Sequence, residues 1–475
     1  SSHFGSSWPV GWRSVPKREC CPEHGASRRT MMSPVPMPQN DAKRFLLGSL
    51  VGCGVVGLVL LVMPGHSAGR AEKFVAPAVP MSSGVTGSHW AQQIPSARRP
   101  RAARMAPTAM AVPNAAPVYS GKYDKELRET AQAMVAPGKG LLACDESTGT
   151  VGKRLESIGL ENTEDNRRKW RNLLFTAPGV GDYISGAILF EETLFMDDPD
   201  GKPFVDVLKG NGIIPGIKVD VGLKPLVGGG PGENWCAGLD TLADRAPKYY
   251  EKGARFAKWR TALKIDVDNG CPTDLALEVA AQDLARYARI CQESGLVPIV
   301  EPEILLDGDH DIATTAQVQE RVLKTVFAKL QENGVMLEGS ILKPSMTVPG
   351  VDAKDKSDPA TIAKMTVQTL DRSLPSALTG VTFLSGGISE EDSSIYLNEM
   401  NKLPRKGGFT VTFSFSRALQ SSALKIWGGK DEGYAKAQEQ LVARAKANSE
   451  AALGKYVPGS QPSIEESLFV KDYVY

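Results

Sequence analysis

The amino-acid sequence predicts a closed, parallel (β/α)8 barrel, formed by a single domain that carries a mobile C-terminal tail. The first observation is that short β-rich runs alternate with helix-length amphipathic stretches from Tyr123 to about residue 430. This alternation is typical of a parallel α/β fold, and it repeats eight times, which is enough to close a barrel. The second is that 42% hydrophobic and 23% charged residues match soluble globular domains, so a large core is available.

Each strand is predicted from a run of apolar and β-branched residues. The eight runs are residues 140–146, 184–192, 213–220, 256–265, 297–304, 339–344, 381–386 and 410–417. Helices are predicted at 164–175 and 273–294, because proline or glycine follows each of them closely. Residues 455–475 contain proline and serine without a regular period, which predicts the tail. Barrel and tail together occupy residues 120–475.

Residues 1–119 are predicted to be a leader, because their composition differs from that of the rest. They contain 13 basic and 4 acidic residues, a net charge of 13 − 4 = +9. Residues 1–30 lack both methionine and periodicity, so we expect them to be translated upstream sequence. The coding region is then expected to begin at Met31 or Met32.

The remainder of the leader has two parts of different character. Two basic residues precede an uninterrupted apolar run at 45–63, and small residues follow it, as in a signal peptide. Residues 69–119 are rich in Ala, Ser, Pro and Arg with one acid, as in a transit peptide. A signal followed by a transit segment predicts delivery to a plastid of secondary origin. Because the apolar run is almost long enough to span a bilayer, a membrane anchor followed by a disordered linker is the alternative.

The charge and the cysteines limit the classes of partner. Residues 120–475 contain 42 basic and 50 acidic residues, a net charge of −8, without a basic face, so no nucleic-acid partner is expected. The seven cysteines show no CxxC spacing, which predicts neither a disulfide framework nor a zinc site. His310 is the single histidine after residue 119, and one imidazole cannot supply a catalytic zinc site. We therefore expect small-molecule substrates and no metal.

Charged side chains at the ends of the predicted strands indicate where a site forms. In a parallel barrel, active sites lie at the carboxyl ends of the strands. The charged residues there are Asp145, Glu146, Lys218, Asp220, Lys258, Arg260, Glu301, Glu303, Lys343 and Arg417. Residues two apart in a strand share a face, so Lys258 with Arg260, and Glu301 with Glu303, are expected to project together. Any one of these charges has a structural ion pair as its alternative, but six strands contributing to one rim favour a functional site.

The glycines favour a phosphorylated substrate over a nucleotide cofactor. No GxGxxG or GxxxxGK[ST] loop opens a helix, so no cofactor is expected. Ser385, Gly386 and Gly387 follow the seventh strand, and Arg417 follows the eighth. Backbone amides and a guanidinium at these two strand ends form the usual phosphate site of barrels.

Four motifs along the chain resemble those of class I fructose-bisphosphate aldolases, which are TIM-barrel enzymes. They are LACDESTG at residues 142–149, FAKWR at 256–260, VEPE at 300–303 and LKP at 342–344. The resemblance runs collinearly from about residue 122 to the terminal Tyr475, and the leader lies outside it. One departure is Cys144, where alanine is expected; the alternatives for it are redox sensitivity and, preferred, an inert buried thiol.

The resemblance implies a lysine Schiff base as the catalytic device. It assigns the nucleophilic amine to Lys343 and the neighbouring cation that assists it to Lys258. A lysine amine attacks a ketone when burial or a nearby cation keeps it neutral, and the iminium then holds electrons without a metal. The reaction implied is the reversible cleavage of fructose 1,6-bisphosphate to dihydroxyacetone phosphate and glyceraldehyde 3-phosphate, used in glycolysis, gluconeogenesis and the Calvin cycle.

The resemblance also implies the proton-transfer residues. Asp145 is expected to take the proton of the C4 hydroxyl, and Glu301 to act as acid and base in the dehydration, with Glu303 supporting the charge network. Tyr475 is expected to return a proton to the enamine. The first of the two phosphate sites is assigned to Ser385, Gly386, Gly387 and Arg417. The candidates around the other phosphate are Ser147, Lys153, Arg154, Lys218 and Arg260.

Two other functional classes stay open at the level of sequence. One is another Schiff-base barrel enzyme of the transaldolase type, against which the double set of cations speaks. The other is a non-catalytic, membrane-tethered interaction protein, suggested by the apolar run. For the aldolase, the resemblance implies sugar bisphosphates and triose phosphates as partners, with sedoheptulose 1,7-bisphosphate as a further substrate, and a homotetramer. We expect the mature form in the plastid stroma without stable membrane association; membrane-anchored and cytoplasmic locations are the alternatives.

Overall fold

The computed structural model describes residues 116–471 of the 475-residue chain. The upstream segment 1–30, the apolar run 45–63, almost all of 69–119, and Tyr475 lie outside the described residues. Within residues 116–471, no helix is both long enough and apolar enough to cross a bilayer.

Ten strands occur in the described part of the chain. They are β1 Gly140–Cys144, β2 Ile184–Leu189, β3 Ile214–Lys218, β4 Leu223–Pro225, β5 Asn234–Cys236, β6 Phe256–Leu263, β7 Val297–Ile304, β8 Ile341–Leu342, β9 Gly380–Phe383 and β10 Thr410–Phe415. Eight of them form a closed parallel barrel in the order β1-β2-β3-β6-β7-β8-β9-β10, and β10 pairs back to β1. The predicted barrel is thus confirmed.

The helices alternate with the barrel strands as the sequence pattern predicts. They are α1 Asp124–Met134, α2 Thr148–Glu156, α3 Glu164–Phe175, α4 Glu191–Phe195, α5 Phe204–Gly210, α6 Leu242–Lys252, α7 Asp274–Glu293, α8 Ile312–Glu332, α9 Pro359–Ser373, α10 Glu390–Lys402, α11 Arg417–Trp427 and α12 Asp431–Ala452. Short 3-10 turns lie at Val180–Asp182, Leu239–Thr241 and Leu337–Gly339. Side-chain caps begin many of the helices; Thr163 caps α3, for example, and Thr273 caps α7.

The two-residue repeat of each strand places apolar and charged residues in separate layers inside the barrel. Leu141, Phe256, Ile299 and Ile341 point inward and form one buried apolar cluster, to which α1 contributes Leu127. Farther along the same strands, the inward positions nearest the carboxyl rim are charged. The alternate residues, such as Trp259, belong to the larger core between strands and helices. The fold therefore fills the barrel below and leaves a charged layer at the rim.

The predicted strands run a few residues past the observed ones at several carboxyl ends. Strand β8 is the extreme case, since only two residues pair as strand, although the amide of Lys343 still donates to the carbonyl of Val300 at 2.8 Å. The polar residues that follow the paired segments bind side chains instead of extending the ladder. The strand ends are thus where the site begins.

The sequence pattern missed a small antiparallel hairpin, β4 with β5, that packs on α7. Its strands are three residues long, too short to show a two-residue period. Asp283 of α7 accepts a hydrogen bond from the Cys236 backbone, and its Oδ2 has no hydrogen-bond partner within the described residues. Burial raises the pKa of this carboxyl to about 6.

Asp283→Asn is expected to stabilise the protein at high pH. The pKa of Asp283 is higher in the folded protein than in the unfolded chain, so the folded protein binds this proton more tightly. The free energy of unfolding therefore falls as pH rises through about 6, and an uncharged asparagine avoids this loss. The carboxyl is partly exposed and screened, so we expect a gain of about 1 kcal/mol at pH 8 that shrinks toward pH 4.5. Thermal unfolding at both pH values measures it, with the exposed Asp268→Asn as control. An equal gain at both pH values would contradict the assignment.

Candidate active site

The centre of the site is an ion pair between β7 and the residue that follows β8. Lys343 and Glu301 are 4% and 3% exposed, and the Lys343 Nζ lies 3.0 Å from Glu301 Oε1. Both side chains point inward because they continue the inward positions Ile341 and Ile299 of their strands. A primary amine therefore lies beside a carboxylate that can accept its proton.

A second lysine extends this pair into a buried row of alternating charges. Lys258 of β6 is 1% exposed, and its Nζ lies 3.3 Å from Glu301 Oε2 and 2.7 Å from Asp145 Oδ2. Asp145, fully buried, directly follows β1. The row Lys343, Glu301, Lys258 and Asp145 crosses the rim and connects four strand ends. Buried charges are tolerated when each is paired, and here each charged group has a neighbour of opposite charge within 3.3 Å.

The surrounding cations keep Asp145 ionised. Burial opposes its negative charge, but Lys258, Lys343 and Lys218 outweigh burial and hold the pKa of the carboxyl below its usual range. Asp145 is thus an anion at neutral pH, and its Oδ1 has no hydrogen-bond partner within the described residues. One carboxylate oxygen is occupied by Lys258 and the other is available to accept a proton.

Two further ion pairs lie beside the row. Arg260 of β6 pairs through its Nε with Glu303 of β7. Burial alone would raise the pKa of the Glu303 carboxyl. The positive charges of Arg260, Lys343 and Arg417 outweigh this effect and lower the pKa. Lys218 binds Asp220 at 2.6 Å. The charged residues of β6 therefore project to the same side as those of β7, and the two strands contact each other through Lys258 with Glu301 and Arg260 with Glu303.

A cavity opens beside Lys343 toward β9 and β10. Its lining consists of Glu301, Glu303, Lys343, Leu384, Ser385, Gly386, Ser414, Ser416 and Arg417. Gly386 and Gly387 have φ angles of 59° and 108°, a left-handed backbone that other residues rarely adopt. This turn and the guanidinium of Arg417 give the cavity the donors that a phosphate requires.

The residues predicted on α2 lie at different places. Ser147 caps the helix by accepting from the Thr150 amide. Arg154 turns to the rim, where it binds Glu146 at 2.5 Å and the Ser416 hydroxyl at 3.1 Å. Lys153 is exposed. The structure therefore brings Arg154 next to the β10 end, beside Arg417.

The sequence places Glu146 among the charged strand ends but assigns no role to this carboxylate, which is buried and organises the corner. Glu146 is 1% exposed, accepts from Ser416 at 2.6 Å, and pairs with Arg171 of α3 at 2.8 Å as well as with Arg154. Burial alone would raise the pKa of Glu146, but the positive charges of Arg154 and Arg171 outweigh this effect and lower it. The available signal was Arg171 itself, an arginine beside Trp170 and Leu173 on the apolar face of a helix.

Cys144 has the environment of an inert thiol. It is fully buried, its Sγ donates to the carbonyl of Ile188 at 3.1 Å, and burial raises its pKa well above the usual value. A thiol kept neutral in this way is a poor nucleophile. Of the two alternatives for this position, the geometry favours the unreactive one.

Comparisons with known proteins identify the family of the chain. A family model described as fructose-bisphosphate aldolase class-I matches residues 126–475. Fructose-bisphosphate aldolase 1 of Toxoplasma gondii is 56% identical over 359 residues, which are 75% of this chain and 98% of that protein. The chloroplastic fructose-bisphosphate aldolase 1 of Pisum sativum is 54% identical over 359 residues, 75% of this chain and 99% of its own.

A solved structure supports the same assignment at the level of the fold. The fructose-bisphosphate aldolase of Plasmodium falciparum is 52% identical, with a TM-score of 0.70, over 72% of this chain and 99% of the solved chain. The residues that the family model matches contain the whole barrel and exclude the predicted leader. The closed parallel barrel, the buried lysines at its rim and these similarities together show that the chain belongs to the class I fructose-bisphosphate aldolase family.

Proposed function

We propose that this chain catalyses the reversible cleavage of fructose 1,6-bisphosphate through a Schiff base on Lys343. The observation that carries the proposal is the buried row in which Glu301 lies 3.0 Å from the Lys343 Nζ and 3.3 Å from the Lys258 Nζ. A carboxylate between two lysines can take the proton of Lys343, and the ammonium of Lys258 stabilises the carboxylate while it is ionised. Lys343 is thereby prepared to attack a ketone.

The first half of the reaction forms the iminium. The Lys343 ammonium transfers a proton to Glu301, and the neutral amine adds to the C2 carbonyl of the open-chain sugar. Glu301 then protonates the carbinolamine hydroxyl, which leaves as water and gives the protonated iminium. Lys258 balances the charge of Glu301 during both transfers, and Glu303, paired with Arg260, keeps a second anion beside the forming cation.

The second half breaks the carbon–carbon bond. Asp145 removes the proton of the C4 hydroxyl, the C3–C4 bond electrons move to the iminium nitrogen, and glyceraldehyde 3-phosphate leaves an enamine on Lys343. Asp145 suits this role because its lowered pKa keeps it ionised. It also lies close to the reacting amine, since only Lys258 separates it from Glu301 in the row. Tyr475, whose position lies outside the described residues, would protonate the enamine. Hydrolysis then releases dihydroxyacetone phosphate.

The barrel order supports the assignment of two phosphate sites. The first site, Ser385, Gly386, Gly387 and Arg417, follows β9 and β10, which lie diametrically across the barrel from β3 and β6. Of the candidates for the second phosphate, Lys218 and Arg260 lie on those opposite strands, whereas Ser147, Lys153 and Arg154 belong to α2 and its cap, and Arg154 lies beside the first site. A substrate with a phosphate at each end would span the rim. This favours a bisphosphate over the single phosphate of a transaldolase substrate.

The direct test is turnover of fructose 1,6-bisphosphate, followed by a coupled triose-phosphate assay with and without a metal chelator. We expect cleavage at equal rates under both conditions, because the iminium replaces the metal as electron sink. Sedoheptulose 1,7-bisphosphate assayed in parallel measures whether the longer sugar is also accepted. Complete loss of activity with chelator would contradict the mechanism.

The location is proposed from the leader together with the relatives. Several relatives are named chloroplastic, while those of Spinacia oleracea and one of Arabidopsis thaliana are named cytoplasmic or cytosolic. The signal-like and transit-like halves of the leader favour a plastid stroma, with removal of residues 1–119, a homotetrameric mature enzyme and no stable membrane association. We expect N-terminal sequencing of the protein from its source to find cleavage near 115–119. A mature chain that retains 45–63 would contradict this location.

A further inference from the structure

A cavity of about 400 Å³ lies at the amino end of β10, at the opposite end of the barrel from the charged rim. We call it the β10 cavity. Its wall consists of the start of β10 at 410–412, the loop that precedes β10, the residues that follow α1, and the end of α12. Sites for small molecules have volumes of this order. None of the residues assigned to catalysis or to the two phosphate sites lines the β10 cavity, so the reaction leaves it without a role.

Arg405 is the one charged side chain among the described residues that line the β10 cavity, and it is half-buried. Its Nη1 donates to the Met400 carbonyl and to Asn401 Oδ1, both at 3.3 Å, which caps the end of α10. Its Nε and Nη2 have no hydrogen-bond partner within the described residues, and no described carboxylate forms an ion pair with it. Burial lowers the pKa of the guanidinium, and the attraction of Asp371 only partly offsets this effect. A desolvated cation without a counter-ion costs stability, and a bound anion would remove that cost.

Two glycines add backbone donors to the same wall. The amides of Gly407 and Gly408 donate to no group within residues 116–471. A Cβ atom at Gly407 would lie 2.0 Å from the ring of the buried Phe409, so the chain can pass over this ring only with glycine. Successive amides in a turn, together with a guanidinium, are the donors that anion sites use.

The helix ends at the β10 cavity have carbonyls that are already capped. The Ala133 carbonyl of α1 accepts from the Ala136 amide at 3.3 Å, and the Ala451 carbonyl of α12 accepts from the Gly454 amide at 3.0 Å. No carboxylate belongs to the described lining. The polar groups left for a ligand are therefore mainly donors, and they favour a ligand that accepts hydrogen bonds and carries negative charge.

We propose that the β10 cavity binds a phosphate monoester of a small molecule, whose phosphate is held by Arg405 and by the amides of Gly407 and Gly408. The planar fork of an arginine binds two phosphate oxygens, and the amides can take a third. Leu403 and Val411 form an apolar part of the wall that suits the organic group of the ester. A bare phosphate would fill only a small part of the volume. The proposal does not depend on the chemistry at Lys343.

The experiment counts bound phenyl phosphate per chain by isothermal titration calorimetry. The rim also offers phosphate sites, so the comparison is made between variants in which the rim is unaltered. For Arg405→Met we expect one bound phenyl phosphate fewer per chain than in the unaltered protein. Lys406→Met is the matched control, because it removes the same charge from the next residue, which is exposed and does not line the β10 cavity. It is expected to keep the full number of sites.

Further measurements separate this site from general charge effects and from other anions. Arg405→Lys keeps the charge but lacks the fork, so we expect it to weaken phenyl phosphate binding about tenfold. Inorganic phosphate and benzoate are expected to bind the β10 cavity at least about tenfold more weakly, because one lacks the apolar group and the other the phosphate. In phosphate-free buffer, Arg405→Met is expected to unfold at no lower temperature than the unaltered protein. Should it fold poorly, the binding of Arg405→Lys decides.

Three results would overturn the proposal. The first is an unchanged number of sites in Arg405→Met, or unchanged affinity in Arg405→Lys. The second is an equal loss of sites in Lys406→Met, which would indicate an effect of surface charge alone. The third is binding of inorganic phosphate or benzoate as tight as that of phenyl phosphate.

Discussion

Lys343→Met is expected to lower cleavage of fructose 1,6-bisphosphate by at least about 10⁴-fold, because methionine matches the length of the lysine stem but has no amine to form the iminium. The fold should survive, since Glu301 keeps the Lys258 Nζ at 3.3 Å as its counter-ion. Initial rates by the coupled assay measure the loss, and circular dichroism with urea unfolding verifies that the barrel is intact.

The matched control for this substitution is Lys364→Met. Lys364 is an exposed residue of α9, away from the rim, so we expect its loss to leave the rate within about twofold of the starting value. A folded Lys343→Met variant with full activity would refute the role of Lys343. Equal losses in both variants would show that the assay reports on stability and not on chemistry.

Asp145→Asn is expected to reduce the cleavage rate by about 10³-fold while leaving Schiff-base formation with dihydroxyacetone phosphate intact. The amide keeps the shape of the carboxyl but cannot take the C4 hydroxyl proton, and general-base catalysis is worth about 10²–10⁴-fold. Dihydroxyacetone phosphate has no C4 hydroxyl, so its iminium does not need this base. Comparison of the cleavage rate with the yield of trapped adduct separates the two steps.

Asp200→Asn, at an exposed turn, is the control for the Asp145 substitution and is expected to change neither quantity. The variant Asp145→Asn also leaves Lys258 with Glu301 as an acidic neighbour that is shared with Lys343, so some loss of stability is expected from the poorer compensation of the buried charge. If trapping falls as far as cleavage does, Asp145 acts in iminium formation and the assignment of steps is wrong.

Local patterns in the sequence were sufficient for the barrel and for the charged row. Each of the eight strands has its own apolar run, and the two-residue repeat alone places Lys258, Glu301 and Lys343 on inward positions. Closure of the barrel then brings those strand ends together without further information. The resemblance to a known family added roles that the repeat cannot supply.

Contacts between distant segments could not be predicted in the same way. The pairing of Glu146 with Arg171 joins a strand end to a helix 25 residues later, and neither residue belongs to a repeating pattern. Glu390 and Glu391 look like ordinary acidic residues of a first helical turn, which favour the helix dipole on their own. Glu391 accepts from the Tyr456 hydroxyl at 2.8 Å and Glu390 from the Ile464 amide at 3.0 Å. These contacts depend on where an irregular segment crosses the barrel, and no local signal encodes that path.

The most direct measurement is reduction with borohydride in the presence of dihydroxyacetone phosphate, followed by peptide mapping by mass spectrometry. A covalent iminium predicts one reduced three-carbon adduct, located on Lys343, in amounts that a chelator does not change. An unmodified Lys343 in a protein that still turns over fructose 1,6-bisphosphate would contradict the account.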